Sequence, residues 1–89
     1  MTFECTTSLA AADVFARAKK FFAERVPHSA AFPEREGDGY LLLRGQGGEE
    51  VALAAQARDG ATHVRGSTLL FDQAVQRFLT TLPSAGATT

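Results

Sequence analysis

The chain has 89 residues, of which 45% are hydrophobic and 21% are charged, and its formal net charge is -1. These values predict one globular domain of ordinary composition. They disfavour nucleic acid as a partner, because a nucleic-acid-binding surface needs excess Lys and Arg to neutralise phosphates. The single cysteine, Cys5, cannot form an internal disulfide. The first residues lack the pattern of a signal peptide, and no apolar run approaches a membrane span, so we expect a soluble cytoplasmic protein.

The N-terminal part of the sequence predicts a strand followed by a helix. Apolar and polar residues alternate over Thr2–Thr6, which is typical of a short, half-buried strand. A helix is predicted from Leu9 to Arg25, ended by Pro27, which has no N–H to donate. Its apolar stripe consists of Ala11, Val14, Phe15, Ala18, Phe21, Phe22 and Val26.

The middle of the chain predicts four strands joined by turns. His28–Glu36 gives the weakest pattern, and its proline and charges suit an edge strand. A turn at residues 37–39 leads to a strand over Tyr40–Arg44. Two further strands, Glu50–Arg58 and Ala61–Thr68, flank Asp59-Gly60, which favours a type I′ hairpin turn. That turn sets these pairs: Ala55 opposite Val64, Leu53 opposite Gly66, Val51 opposite Thr68, Gln56 opposite His63 and Ala54 opposite Arg65.

A second helix is predicted to begin near Leu69 or Leu70, with Ser67 or Thr68 as its cap, and to end at Pro83. Its apolar stripe consists of Phe71, Ala74, Val75, Phe78, Leu79 and Leu82. We expect residues 1–83 to form a single domain and residues 84–89 to form a flexible tail.

These elements predict an α+β fold in the order β-α-β-β-β-β-α, with a five-stranded antiparallel sheet and two helices packed on one face. Each helix has a single apolar stripe, which must be buried against the sheet. The expected inward strand residues are Phe3, Cys5, Val51, Leu53, Ala55 and Val64. The expected centre of the core consists of Phe15, Phe22, Phe71 and Phe78.

The other face of the sheet is predicted to be open. A three-residue loop at residues 46–48 turns Leu41 and Leu43 inward and sets Arg44 outward, in an ion pair with Glu50. A two-residue loop would bury Arg44, which costs more. The candidate binding residues on this face are Tyr40, Leu42, Ala52 and Ala54 in an apolar strip, surrounded by Arg44, Glu50, Gln56, His63, Arg65 and Ser67. Apolar strips with polar rims often mark interaction sites.

The sequence offers little catalytic chemistry. The segment Gly45–Gly48 is followed by two glutamates and a strand, so a hairpin turn is favoured over a phosphate loop. Cys5 is expected inward and His63 outward, which disfavours a nucleophilic pair. No local cluster of metal ligands is present. We therefore expect no cofactor and no enzyme activity, with a polar site of His63, Arg65 and Glu50 as the remaining catalytic alternative.

The order of elements over residues 2–82 resembles the TATA-binding-protein-like fold. It is also similar to a trimmed helix-grip domain of the START type, and small proteins associated with polyhydroxyalkanoate granules are similar in length and order. The chain lacks the strongly curved sheet around a long helix that gives START-like domains a deep cavity. It also lacks the basic, duplicated saddle of TATA-binding proteins, so the resemblance assigns no site residues.

Two functions follow from the sequence. The first is a small, non-enzymatic interaction module that forms a homodimer or binds another protein through the open sheet face or an edge strand. The alternative is a carrier of a small apolar ligand, held between the sheet and the helices or on the open face.

Overall fold

The computed structural model describes residues 2–24, 30–69 and 71–84. They form one antiparallel sheet of five strands, in the order β1-β5-β4-β3-β2, together with two helices, which confirms the predicted α+β class and element order. Arg25, Val26, Pro27, His28, Leu70 and the tail at 85–89 lie outside the described residues. The elements are β1 (Thr2–Thr7), α1 (Ala11–Glu24), β2 (Ala31–Gly37), β3 (Tyr40–Gly45), β4 (Glu50–Arg58), β5 (Ala61–Thr68) and α2 (Asp72–Thr80).

Both helices cover the same face of the sheet. Helix α1 contacts β2 and β4, and α2 contacts β1 and β5. The four phenylalanines predicted for the centre of the core are all buried, and the rings of Phe22 and Phe78 lie 5.7 Å apart. Burying a side chain of this size stabilises the fold by roughly 1.5–3 kcal/mol. The described residues of both stripes and the inward strand residues therefore hold the layers together as the sequence predicts, while Val26 lies outside the described residues.

Two turns fix the registers that define the other face. Asp59 and Gly60 have φ values of 53° and 78°, as a type I′ turn requires, and β4 pairs with β5 in the predicted register. The β3–β4 turn is the expected three-residue loop, because the Gly45 N–H donates to the Glu49 carbonyl at 2.8 Å. Gly48 completes that loop with a φ of 90°. Arg44 consequently lies opposite Glu50.

Strand β2 is an edge strand, as predicted, and it contains a bulge. The register with β3 shifts between Pro33 and Arg35, which leaves Glu34 as the extra residue. On the helix side, the Lys19 ammonium of α1 pairs with the Glu36 carboxylate at 2.5 Å. This bulge affects the candidate site, because it turns Glu34 toward the open face.

The start of α2 differs from the sequence prediction. The helix begins at Asp72, because Thr68 remains at the end of β5, opposite Val51. The Thr68 hydroxyl accepts a hydrogen bond from the Phe71 N–H at 3.1 Å and donates one to the Glu50 carbonyl at 2.9 Å. Leu69 therefore lies between strand and helix and is 88% exposed. Helix α1 likewise begins at Ala11 rather than at Leu9.

After α2 the chain returns to the end of β1. The Thr7 hydroxyl donates to the Pro83 carbonyl at 2.5 Å, and the Ser8 N–H donates to the same oxygen at 3.3 Å. Ser84 forms an isolated bridge with Thr7. The domain boundary at residue 83 stays a prediction. Neither of the described helices is long and apolar enough to cross a membrane.

Candidate functional site

The open face, the side of the sheet opposite the helices, carries all nine predicted site residues. Residues directly opposite each other in an antiparallel pair point to the same side. Leu42, Arg44, Ala52 and His63 are half-buried, and the others are exposed. Their role in binding stays a prediction. The pairs are Tyr40 opposite Ala54, Leu42 opposite Ala52, Arg44 opposite Glu50, Gln56 opposite His63, and Ala54 opposite Arg65.

The large apolar side chains that the described residues leave exposed lie on this same face. They are Phe32, 49% exposed, Tyr40, 42% exposed, and Leu69, 88% exposed. Phe32 is directly opposite Arg44, whose side chain is on the open face. Leu69 comes directly after β5 and continues its alternation of faces, so it lies on the same side as the outward residue Ser67. Within the described residues, the large exposed apolar side chains are thus concentrated on one side of the sheet.

The sequence alone places neither Phe32 nor Leu69 on the open face. Phe32 belongs to the segment with the weakest strand pattern, and that pattern does not indicate a pairing with Arg44. Helical periodicity places Leu69 at the start of the second helix, whereas in the structure Leu69 precedes that helix. One signal for Leu69 was present, because it continues the outward alternation that runs along β5 from His63 through Ser67.

The Tyr40 ring lies across the backbone of the edge strand. Gly37 is directly opposite Tyr40, and a Cβ at Gly37 would overlap the ring atoms of Tyr40. A larger residue at position 37 would therefore displace the Tyr40 ring, which in this position shields the edge backbone from water, as aromatic residues do beside edge glycines. Because the ring leans toward β2, Ala54 stays exposed near the centre of the open face.

Arg44 links three elements at one end of the open face. Its Nε and Nη2 atoms donate to the two carboxylate oxygens of Glu34 at 2.8 and 2.9 Å. Its Nη2 atom lies 3.7 Å from Glu50 Oε2, and its Nη1 atom donates to the Gly48 carbonyl at 3.2 Å. The predicted Arg44–Glu50 pair is confirmed, but Glu34 is the nearer, bidentate partner. The bulge in β2 is what brings Glu34 within reach.

The two carboxylates that Arg44 contacts are held unequally. The hydrogen bond from Arg44 lowers the pKa of the Glu34 carboxyl below its ordinary value. The Arg44 guanidinium therefore contacts two carboxylates, and its contact with Glu50 is the longer one. At the other end, Arg65 and Arg58 form no ion pair with any residue in the described ranges. Acidic residues nevertheless lie beside both of these arginines, because Glu4 is directly opposite Arg65 and Asp59 follows Arg58.

A shallow, open concavity of about 650 Å³ lies at the β3–β4 turn end of the open face. Its walls combine the apolar side chains of Ala52 and Leu69 with the charged groups of Arg44 and Glu50. Such a mixture suits a side chain of a partner or a small molecule with one polar end. It is lined by Thr2, Arg44, Gly47, Gly48, Glu49, Glu50, Ala52, Ser67, Thr68 and Leu69.

The geometry gives no support to the catalytic alternative. Cys5 lies opposite Val64 on the helix side, whereas His63 lies opposite Thr6 on the open face, as expected. Burial raises the pKa of the Cys5 thiol, which weakens it as a nucleophile. Arg65 is opposite Ala54, four residues along β4 from Glu50, so those two side chains start about 13 Å apart. Over the ranges that the structure describes, no three His, Cys, Asp or Glu residues gather into a metal site.

The glycine-rich segment is a hairpin turn, as the sequence analysis favours. The N–H groups of Gly45 and Gly48 bond to backbone carbonyls within the turn. The Gly47 N–H donates to the Glu49 carboxylate at 3.0 Å. Three amides that a phosphate would need are therefore already engaged.

The two edges of the sheet offer less than the open face. The β2 edge contains Pro33, a bulge and three consecutive charged residues, which are features that protect an edge from pairing. At the β1 edge, Pro83 and Ser84 cover the end of the strand at Thr7.

Comparison of the chain with protein-family models, with curated proteins and with solved structures gives no match.

Proposed function

We propose that this chain is a small, non-enzymatic interaction module that self-associates through the open face of its sheet. The observation that carries the proposal is the position of Phe32, Tyr40 and Leu69, which expose their side chains on that one face. Removing apolar surface from water is favourable by roughly 25 cal/mol per Å², and part of this gain is offset by the freedom that two chains lose on association. Aromatic residues are enriched in the cores of such interfaces.

The centre of the open face suits close approach by another surface. Ala52 and Ala54 lie on the middle strand, β4, and their small side chains leave a shallow depression at the centre of the open face. Larger side chains stand around them, including Leu42 and Tyr40 on β3. A second sheet packed at the usual spacing of about 10 Å would bury this low centre under its own side chains.

Sedimentation at micromolar concentration tests the proposal. The wild type is compared with Leu42→Arg, which sets a charge among the apolar residues of the open face. We expect a wild-type dimer and at least a tenfold weaker association in the variant, because an unpaired charge in an interface costs more than about 1.4 kcal/mol.

The matched control is Ala16→Arg, which adds the same side chain at an exposed position of α1, away from the open face. It should associate like the wild type. A wild-type chain that stays monomeric up to 100 µM or so would refute self-association.

A carrier of a small apolar ligand is the second candidate, and the concavity beside Ala52 and Leu69 favours it. The space between sheet and helices offers less, because Phe22, Phe78 and Val51 fill it with no exposed surface. Thermal unfolding with a panel of fatty acids and aromatic compounds tests this candidate. Stabilisation by one compound that Leu69→Asp abolishes would support it, and the absence of any stabilisation would refute it.

A TATA-binding-protein-like or trimmed helix-grip fold is the finer description that we propose for the domain. Its support is the element order and the packing of both helices on one face of the sheet. A cytoplasmic location is proposed from the sequence alone.

A further inference from the structure

Strand β1 has one side that no described strand covers. It pairs with β5 alone, because it stands at the end of the sheet order. The β4–β5 hairpin has a two-residue loop, so its closing residues form a hydrogen-bonded pair, and such pairs recur at every second residue. Carried across β5, this alternation directs the main-chain groups of Phe3 and Cys5 to β5 and those of Glu4 and Thr6 to the free edge.

The chain after α2 already begins to pair with this edge. Ser84 forms an antiparallel bridge with Thr7, and the Ser8 N–H donates to the Pro83 carbonyl at 3.3 Å. The bond from Ser8 is on the free-edge side of β1, in step with the main-chain groups of Thr6. An antiparallel continuation from Ser84 would therefore run along the free edge toward the start of β1.

We propose that residues 85–89, which lie outside the described residues, form a sixth strand along the free edge of β1. The register of the bridge sets Ala85 opposite Thr6, Gly86 opposite Cys5, Ala87 opposite Glu4, Thr88 opposite Phe3 and Thr89 opposite Thr2. The segment is thus long enough to reach Thr2, where β1 begins. This strand replaces the flexible tail that composition predicts for residues 84–89, and it does not depend on self-association through the open face.

A groove beside β1 offers a surface to the side chains of the added strand. Its volume is about 480 Å³, and it lies between β1 and α2, with Phe3, Cys5 and Leu79 as its apolar part. Phe3 and Cys5 are only partly buried against the core. Directly opposite residues point to the same side of a sheet, so Gly86 and Thr88 face this groove, and the Thr88 methyl group covers Phe3.

The added strand also closes an edge that is otherwise open to other chains. An uncovered edge strand is a template for pairing with a second molecule. The β2 edge is protected by a proline, a bulge and charged residues, whereas β1 has neither a proline nor a bulge in its register with β5. With β1 covered by its own chain, the open face is the surface of the sheet that remains available for association.

A disulfide between β1 and the added strand tests the register. Gly86→Cys sets a thiol opposite Cys5 in a non-hydrogen-bonded pair, in which the Cα atoms are about 4.5 Å apart, within the range that disulfides span. The matched control is Ala87→Cys, one residue further along the same segment but on the other side of the sheet. In a glutathione redox buffer, the equilibrium constant for the intrachain disulfide should be about tenfold or more higher for Gly86→Cys than for the control. Unfolding in urea should abolish the difference.

Three results of this experiment would overturn the proposal. Equal equilibrium constants for the two variants would show a free segment, because a free segment presents thiols at positions 86 and 87 to Cys5 alike. A larger constant for Ala87→Cys would show a different register. Disulfide-linked dimers in place of the intrachain bond would assign the edge to a second copy.

Hydrogen exchange followed by NMR is a second test, and it needs no cysteine variant. In the full chain, the amides of Glu4 and Thr6 should exchange slowly, because the added strand accepts their hydrogen bonds. In a chain that ends at Ser84, these two amides should exchange about tenfold faster or more, whereas the Cys5 amide, which bonds to β5, should keep its rate. Fast exchange of Glu4 and Thr6 in the full chain would overturn the sixth strand, whatever the shorter chain does. Sedimentation of the wild type decides self-association separately.

Discussion

Three consecutive leucines of β3 show how differently the two faces of the sheet use the same side chain. Leu41 and Leu43 are 1% and 0% exposed beneath the helices, whereas Leu42 points to the open face and is half-buried. On the helix side, every apolar contact contributes to the folding free energy. On the open face, the apolar surface is still in contact with water and remains available to a partner. Substitutions on the first face should therefore change stability, and substitutions on the second should change association.

The largest effect should come from the centre of the core. Phe78→Ala removes a fully buried ring that packs 5.5 Å from Phe21 and 5.7 Å from Phe22. We expect the free energy of unfolding, measured in urea, to fall by about 3–5 kcal/mol. Leu42→Ala, measured on the monomer, should cost less than about 1.5 kcal/mol. Similar losses at the two positions would mean that the faces do not differ as described.

A smaller effect is expected where α2 approaches the sheet. A Cβ at Gly66 would lie 2.8 Å from Val75 Cγ1. Gly66→Ala should therefore lower the free energy of unfolding by about 1–3 kcal/mol through overpacking. The neighbouring substitution Ser67→Ala, on the open face, should change it little. The cause is tested by measuring the effect of Gly66→Ala in a chain that already carries Val75→Ala. If Gly66→Ala lowers the free energy of unfolding by the same amount there, the loss does not come from contact with the Val75 methyl groups.

The next effect belongs to the open face. Phe32→Ser removes an apolar side chain that is 49% exposed. Its apparent dissociation constant for self-association should rise at least tenfold, which corresponds to about 1.4 kcal/mol. The monomer should unfold within about 1 kcal/mol of the wild type. Gln73→Ser on the exposed side of α2 is the control, and an equal loss of affinity there would contradict a role specific to the open face.

The smallest effect concerns the Arg44 network, whose charges are exposed and screened by water. Arg44 lowers the pKa of Glu34 in the folded chain. Their interaction therefore stabilises the fold above the unfolded pKa of Glu34 and is lost as the pH falls through the lower, folded value. In an NMR titration, the pKa of Glu34 should rise in Arg44→Met. An unchanged pKa would show that Arg44 does not hold that carboxylate in solution.

The sequence by itself determined the layers, the registers of β4 with β3 and β5, and most of the open face. Asp59-Gly60 allows a tight hairpin, and alternation then assigns every side chain of β4 and β5 to one face or the other. The cost of burying Arg44 selected the longer of two possible loops at residues 46–48. These signals are local, because they depend on backbone conformations and on side chains a few residues apart.

Only the tertiary structure decided the features that depend on distant partners. Glu34 reaches Arg44, ten residues along the chain, because a bulge turns it outward. Thr68 is held by the Glu50 carbonyl, eighteen residues away, so α2 begins late and Leu69 stays in water. Helix propensity alone would continue the helix back through Leu69. The hydrogen bond between strands outweighs that weak preference, and no pattern within a short window of sequence records it.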